Sequence, residues 1–240
     1  MLSYALAAAV SAAACLVQTV SGFGFGIFSM AFFPYFMPSY AASVSLTNLL
    51  AFSSAAPVAF MHRTRVRWRV IWPPLLIYPI SNALVIRLAA RTPDAAVYQL
   101  LGAALILLSL YFLMLKKRLR IRATPLSGLI AGALGGALNG LFSMGGPPMV
   151  LYFLAATRDE GEYIACAQAY FTLSNAMTLL IRAAGGQLTA QVFVYYAIAL
   201  MALVPAGKLG ERLRGRMDGE ALRRTVYALM AVSGFLMLLK

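Results

Sequence analysis

Ser21-Gly22-Phe23-Gly24-Phe25-Gly26 and Ser143-Met144-Gly145-Gly146-Pro147-Pro148 interrupt two hydrophobic segments in the same way. Each follows a run of about twenty apolar residues. Each opens a second apolar stretch of roughly a dozen, too short to cross a bilayer as helix at ~1.5 Å per residue. Laid over one another with a shift of 121, the two stretches match Gln18 with Asn139, Gly22 with Ser143 and Gly24 with Gly145. A duplicated break in a hydrophobic segment is the sequence pattern of a transporter's binding site. The chain therefore reads as two copies of one membrane unit facing each other across that site.

Composition removes most alternatives. The 240 residues are 62% hydrophobic and 11% charged, with mean hydropathy +0.80. Soluble domains carry about 25% charged residues, so the expected fold is an all-α integral membrane protein. The net charge of +13 does not point to nucleic acid, because the basic residues sit in short loops between apolar runs. Cys15 and Cys166 lie inside apolar segments and imply neither a disulfide framework nor a metal site. Met1 to Val20 has the apolar core of a signal peptide but no Lys or Arg before it, so it is read as the first membrane segment.

Ten segments follow in order: 2–20, a short one at 27–38, 41–61, 70–90 and 95–115, then 124–142, a short one at 147–157, 162–184, 189–207 and 220–239. Pro34, Pro57, Pro73, Pro74, Pro79 and Pro205 fall inside them, which a membrane bundle tolerates because neighbouring helices re-satisfy the freed carbonyls. The duplication continues beyond the breaks. Ser45-Leu46-Thr47-Asn48 matches Thr172-Leu173-Ser174-Asn175 at a shift of 127, and Pro79 matches Pro205 at 126. The expected halves are 1–122 and 123–240.

Charge sets their relative orientation. If every segment crosses, the loops on one side hold 16 of the 20 Lys and Arg, leaving Arg87, Arg91, Arg182 and Lys240 opposite. If the two short segments dip in and return, the bias almost vanishes. The positive-inside rule thus favours an odd number of crossings per half and inverted repeats. It places the Arg-rich loops 62–69, 116–122 and 208–216 in the cytoplasm.

The interior offers no catalytic set. The only histidine, His62, is in a basic loop, all seven acids lie in loops or at segment ends, and there is no Walker-type phosphate loop. The chain is not expected to be an enzyme or to need a cofactor. Its interior polar groups are neutral and donor-rich. Gln18, Asn48, Asn139 and Asn175 are expected to supply orienting amides, and Ser21, Thr47, Ser143 and Ser174 hydroxyls. Gly22, Gly24, Gly26, Gly145 and Gly146 are expected to bare backbone N–H groups beside Phe25 and Met144. The N-termini of the two short helices add partial positive charge, worth about 0.3–1 kcal/mol each. Such a set suits a small oxyanion. Arg182 follows Asn175 by seven residues and shares its helix face, which makes it a further contact candidate. Near the end of its segment, it is expected to snorkel to the interface more than to touch substrate.

Gly22-Phe23-Gly24-Phe25-Gly26 with Pro34 nearby, repeated as Gly140-Leu141-Phe142-Ser143-Met144-Gly145-Gly146-Pro147, resembles the sulfite exporter (TauE/SafE) family of membrane permeases. The likeness extends over essentially the whole chain. It departs at Phe25 and Ile27, where that family often has further glycines, and at Pro147-Pro148. The resemblance implies a carrier of the bacterial inner membrane for a small sulfur-containing anion such as sulfite, a sulfonate or sulfoacetate. The paired breaks suit alternating access, with the lipid bilayer and in one arrangement a second copy of itself as partners. An anion channel and a non-transporting membrane scaffold are the competing readings.

Overall fold

The computed structural model describes residues 1–114, 122–213 and 219–239. Among them there are ten α-helices: α1 (Leu2–Ser21), α2 (Phe25–Phe32), α3 (Tyr40–Met61), α4 (Trp68–Ala89), α5 (Asp94–Met114), α6 (Pro125–Phe142), α7 (Gly146–Ala156), α8 (Glu160–Ala184), α9 (Ala190–Leu213) and α10 (Gly219–Leu238). Seven of them, α1, α3, α4, α5, α6, α8 and α9, are long and apolar enough to cross a membrane. With 8 and 11 residues, α2 and α7 reach only about 12 and 16 Å, against a hydrocarbon core of about 30 Å.

Local chemistry explains the boundaries. Thr124 and Ser127 form a reciprocal capping box at the start of α6, and Ser39 and Asp159 cap α3 and α8 with their side chains. Pro34 ends α2 in a single 3-10 turn, Phe33–Tyr35. Pro57, Pro73, Pro74, Pro79 and Pro205 sit inside continuous helices. Pro74 lacks the N–H that would bond the Val70 carbonyl, and the Tyr152 hydroxyl donates to that carbonyl instead at 3.2 Å. Two boundaries differ from expectation. The first short segment, expected at 27–38, is α-helix over Phe25–Phe32 only, because Pro34 stops it. The fourth apolar segment of the second half stops at residue 207, but α9 continues to Leu213. Apolar runs end at the first charge, whereas a helix continues as long as its own hydrogen bonds do. Lys208 to Leu213 are therefore helix, not loop. Residues 116–121 and 214–216 of the expected basic loops lie outside the described residues.

Packing is organised by small residues. Gly128, Gly132, Gly136 and Gly140 recur every four residues on one face of α6, which lies directly on the α4 backbone. A Cβ on Gly132 would stand 2.2 Å from the Pro74 carbonyl oxygen, on Gly136 2.7 Å from that of Tyr78, and on Gly140 2.9 Å from that of Asn82. The opposite face of α4 carries Trp72, Leu76, Ile80, Leu84 and Leu88, each more than half exposed, as lipid contact requires. Shifted by 121, the glycine stripe falls on Ala7, Ser11, Cys15 and Thr19 of α1, and α1 packs on α9 as α6 packs on α4. α4 and α9 thus each pack against a helix far away in sequence, α4 on α6 and α9 on α1. One core cluster joins α1, α2 and α3 to α9, and another joins α6, α7 and α8 to α4.

α5 and α10 pair at a glycine crossing, where a Cβ on Gly102 would lie 2.6 Å from the Gly234 carbonyl oxygen and one on Gly234 2.7 Å from that of Gly102. Close backbone approach is what drives helix association in lipid. Gly102→Leu is expected to part this pair and cost ~3 kcal/mol or more, read as a lower melting temperature in detergent. An unchanged melt would show that the crossing contributes nothing.

Candidate functional site

The two breaks meet. α1 ends at Gly22, left-handed at φ 83°, whose N–H donates to the Gln18 carbonyl at 2.7 Å. α6 ends at Ser143, left-handed at φ 55°, whose N–H donates to the Asn139 carbonyl at 2.9 Å. The same cap is built at matched positions, but only the first has the glycine that makes it strain-free. Ser143 is the sole non-glycine with positive φ among the described residues, a conformation costing roughly 1–2 kcal/mol. The breaks are pressed together at Gly26, whose Cα lies so near the Ser143 carbonyl that a Cβ would stand 1.7 Å from the oxygen.

Beside that contact lies a cavity of about 50 Å³, lined by Gln18, Phe23 to Ile27, Ala51, Tyr78, Asn139, Ser143 to Gly146, Tyr170, Phe171, Ser174 and Asn175. No carboxylate and no Lys or Arg is among these. Helix geometry leaves the N–H groups of Phe25, Gly26 and Ile27 at the start of α2 without an intrahelical acceptor. The start of α7 is poorer, because Pro147 and Pro148 have no N–H to offer. The two helix ends are therefore unequal, and α2 is the stronger electropositive one. The Ser143 and Tyr170 hydroxyls are buried without a protein partner. An unpaired buried hydroxyl costs about 1–3 kcal/mol, and Asn175 Oδ1 on the same cavity is likewise without a protein partner.

A polar network braces the far wall. Asn139 Nδ2 donates to Tyr78 Oη at 2.6 Å and to Asn48 Oδ1 at 3.1 Å, with Thr178 Oγ1 at 3.2 Å. The Thr178 hydroxyl gives its proton to the Ser174 carbonyl at 3.0 Å. The Tyr78 hydroxyl, 2.7 Å from Thr178 Oγ1, must then be the donor of that pair. Four helices (α3, α4, α6 and α8) are tied at one point.

The model of the sulfite exporter TauE/SafE family matches residues 6–237. The chain belongs to this family. A protein of Cupriavidus necator described as a probable sulfite/organosulfonate exporter TauE is 28% identical over 229 residues, spanning 92% of this chain and 88% of that protein. No solved structure matches the chain. As a TauE/SafE family member with this set of apolar helices, the protein is a multi-pass membrane transporter.

Within this TauE/SafE chain, eleven of the sequence-predicted residues stand on the cavity: Gln18, Gly24, Phe25, Gly26, Asn139, Ser143, Met144, Gly145, Gly146, Ser174 and Asn175. The others do not. Gly22 faces the Tyr163 ring. Thr47 donates to the Ser43 carbonyl at 2.8 Å, inside its own helix. Asn48 is reached only through Asn139. The side chain of Ser21 lies outside the described residues. The asparagines each have at least one amide N–H already engaged within the protein. Asn48 and Asn175 bond the Val44 and Phe171 carbonyls through Nδ2, and Asn139 bonds the network, because buried amides satisfy the nearest carbonyl first.

Arg182 does not snorkel. It is 3% exposed, donates from Nη2 to the Gly140 carbonyl at 2.7 Å, and bonds Gln187 Oε1 from Nη1. The exposed carbonyl end of α6 carries partial negative charge, which holds the guanidinium inward. Sequence reasoning missed Tyr78, Tyr170 and Thr178. Both tyrosines sit in apolar runs and read as hydrophobic. Thr178 was legible, because Ser174, Thr178 and Arg182 form a polar stripe at four-residue spacing.

Proposed function

We propose that the protein is a secondary carrier for a small oxyanion, with sulfite or a sulfonate the best fit, and that the anion sits between the two breaks. The observation that carries this is the pair of unpartnered hydroxyls on Ser143 and Tyr170, facing a cavity with no carboxylate and the open N-terminus of α2. The names of the family and of the Cupriavidus necator relative support the choice of sulfur oxyanions. The two sequence repeats, 1–122 and 123–240, would be inverted, with the basic loops cytoplasmic. A negative cytoplasm then favours anion exit by about 2.3 kcal/mol per charge per 100 mV, which suits export driven by potential without an intramembrane acid.

Transport would proceed by alternating access, the repeats moving about the caps at Gly22 and Ser143. The layer of Arg182, Gly140, Gln187 and Tyr40, whose hydroxyl donates to the Leu141 carbonyl at 2.6 Å, would be the closed gate. Reconstituted vesicles loaded with radiolabelled sulfite test the carrier. Potential-driven efflux saturating with concentration is expected, whereas unitary currents would favour a channel. The absence of both flux and thermal shift with any small oxyanion would overturn the reading. Arg182→Met tests the gate. Relieved of its desolvation cost, the variant is expected to melt within a few degrees of the parent but to lose more than ten-fold in flux. Unchanged flux would remove Arg182 from the gate.

A further inference from the structure

A second, larger cavity of about 240 Å³ adjoins the first, and Gln18 lines both. It runs between α1, α3, α8 and α9 towards the loop that follows α3, and its mouth carries His62, Lys208 and Glu211. Lys208 and Glu211 are exposed, so this end meets solvent. Its wall is mixed: Pro57, Val58, Leu203 and Val204 stand with Ser53, Ser54 and Gln168, which is 5% exposed and whose Oε1 has no partner. A buried amide left unpaired is costly, and a chamber of this size has room for a water to satisfy it.

We propose that this chamber is a second anion station, in which a hydrated oxyanion pauses beside Lys208 before passing Gln18 into the cavity between the breaks. The proposal rests on the reading of that inner cavity as an anion site. Its electrostatics are opposed by design. Lys208 attracts the anion from the mouth, while Glu211, three residues on and one helical turn away, limits how tightly it is held. A station that bound strongly would trap the anion short of its site. The neighbouring Arg63, exposed, extends the positive field outward over about one Debye length, whereas Arg65 is offset by Asp159 at 3.6 Å.

The test uses a single reporter thiol in the chamber wall: Ser54→Cys in a Cys15→Ser, Cys166→Ala background, in detergent. Its modification rates by sulfonatoethyl methanethiosulfonate and by the trimethylammonium-ethyl reagent are each divided by that reagent's rate with a free small thiol. The sulfonate reagent is expected to be favoured about five-fold. Lys208→Gln should bring the ratio near one, and Glu211→Gln should raise it. Val58→Cys provides a second reporter in the same wall. A preference for the cationic reagent, a ratio indifferent to Lys208→Gln, or no labelling at either position would overturn the station. The readout needs no flux, so a vesicle assay that finds no transport while the charge preference persists would defeat the carrier reading alone.

Discussion

Gly26→Ala is expected to abolish transport and to lower the melting temperature by about 10 °C. The added methyl would be driven into the Ser143 carbonyl, a backbone atom that no rotamer change can move. Overpacking normally costs about 1–3 kcal/mol because side chains give way. Here the two breaks must separate, so the loss is expected to be ~3 kcal/mol or more. Neighbouring glycines provide the contrast. Gly24 has φ 105° yet a Cβ there would sit 3.5 Å from Val17 Cγ1, so Gly24→Ala pays only the left-handed penalty of about 1–2 kcal/mol. Gly146 has room, with nothing nearer than 3.9 Å, and Gly146→Ala should melt like the parent. Equal melts for all three variants would show that the breaks do not depend on contact with one another.

Asn139→Leu is expected to lower transport more than a hundred-fold and stability by ~2–4 kcal/mol. It strands Asn48 Oδ1, at about 1–3 kcal/mol for a buried orphan, and removes the nearer of two donors to the Tyr78 hydroxyl, which keeps Asn82 Nδ2 at 3.5 Å and its bond to Thr178. Tyr78→Phe removes a single member and should cost about 1–2 kcal/mol, with flux reduced five- to twenty-fold. If the network only cements helices, flux per folded molecule in these variants would match the parent. That quantity, from vesicle uptake normalised to detergent-stable protein, separates bracing of the cavity from simple cohesion.

The helices were legible because each obeys one local rule: an apolar run ended by glycine, proline or charge. The offset of 121 goes further and pairs Gly22 with Ser143, the two left-handed caps. Serine avoids the left-handed region, so nothing about Ser143 itself announces the cap. What stayed hidden depends on long-range contact. Tyr78 and Tyr170 look like lipid-facing aromatics until the α6 and α8 backbones surround them. Arg182 looks like an interfacial cation until the broken end of α6 offers it a carbonyl. No periodicity in α4 or α9 states that each packs on a helix far away in sequence.

That pairing bears on biosynthesis. The groove of α1 is completed only by α9, whose first residue is Ala190. At about 5–20 residues per second, the ribosome leaves the first helix waiting some 10–40 s for its companion. Throughout that interval the Ala7, Ser11, Cys15 and Thr19 stripe faces acyl chains or the insertion machinery. A transcript cut before α9 would yield a polypeptide that enters the bilayer but never closes, a natural substrate for membrane quality control.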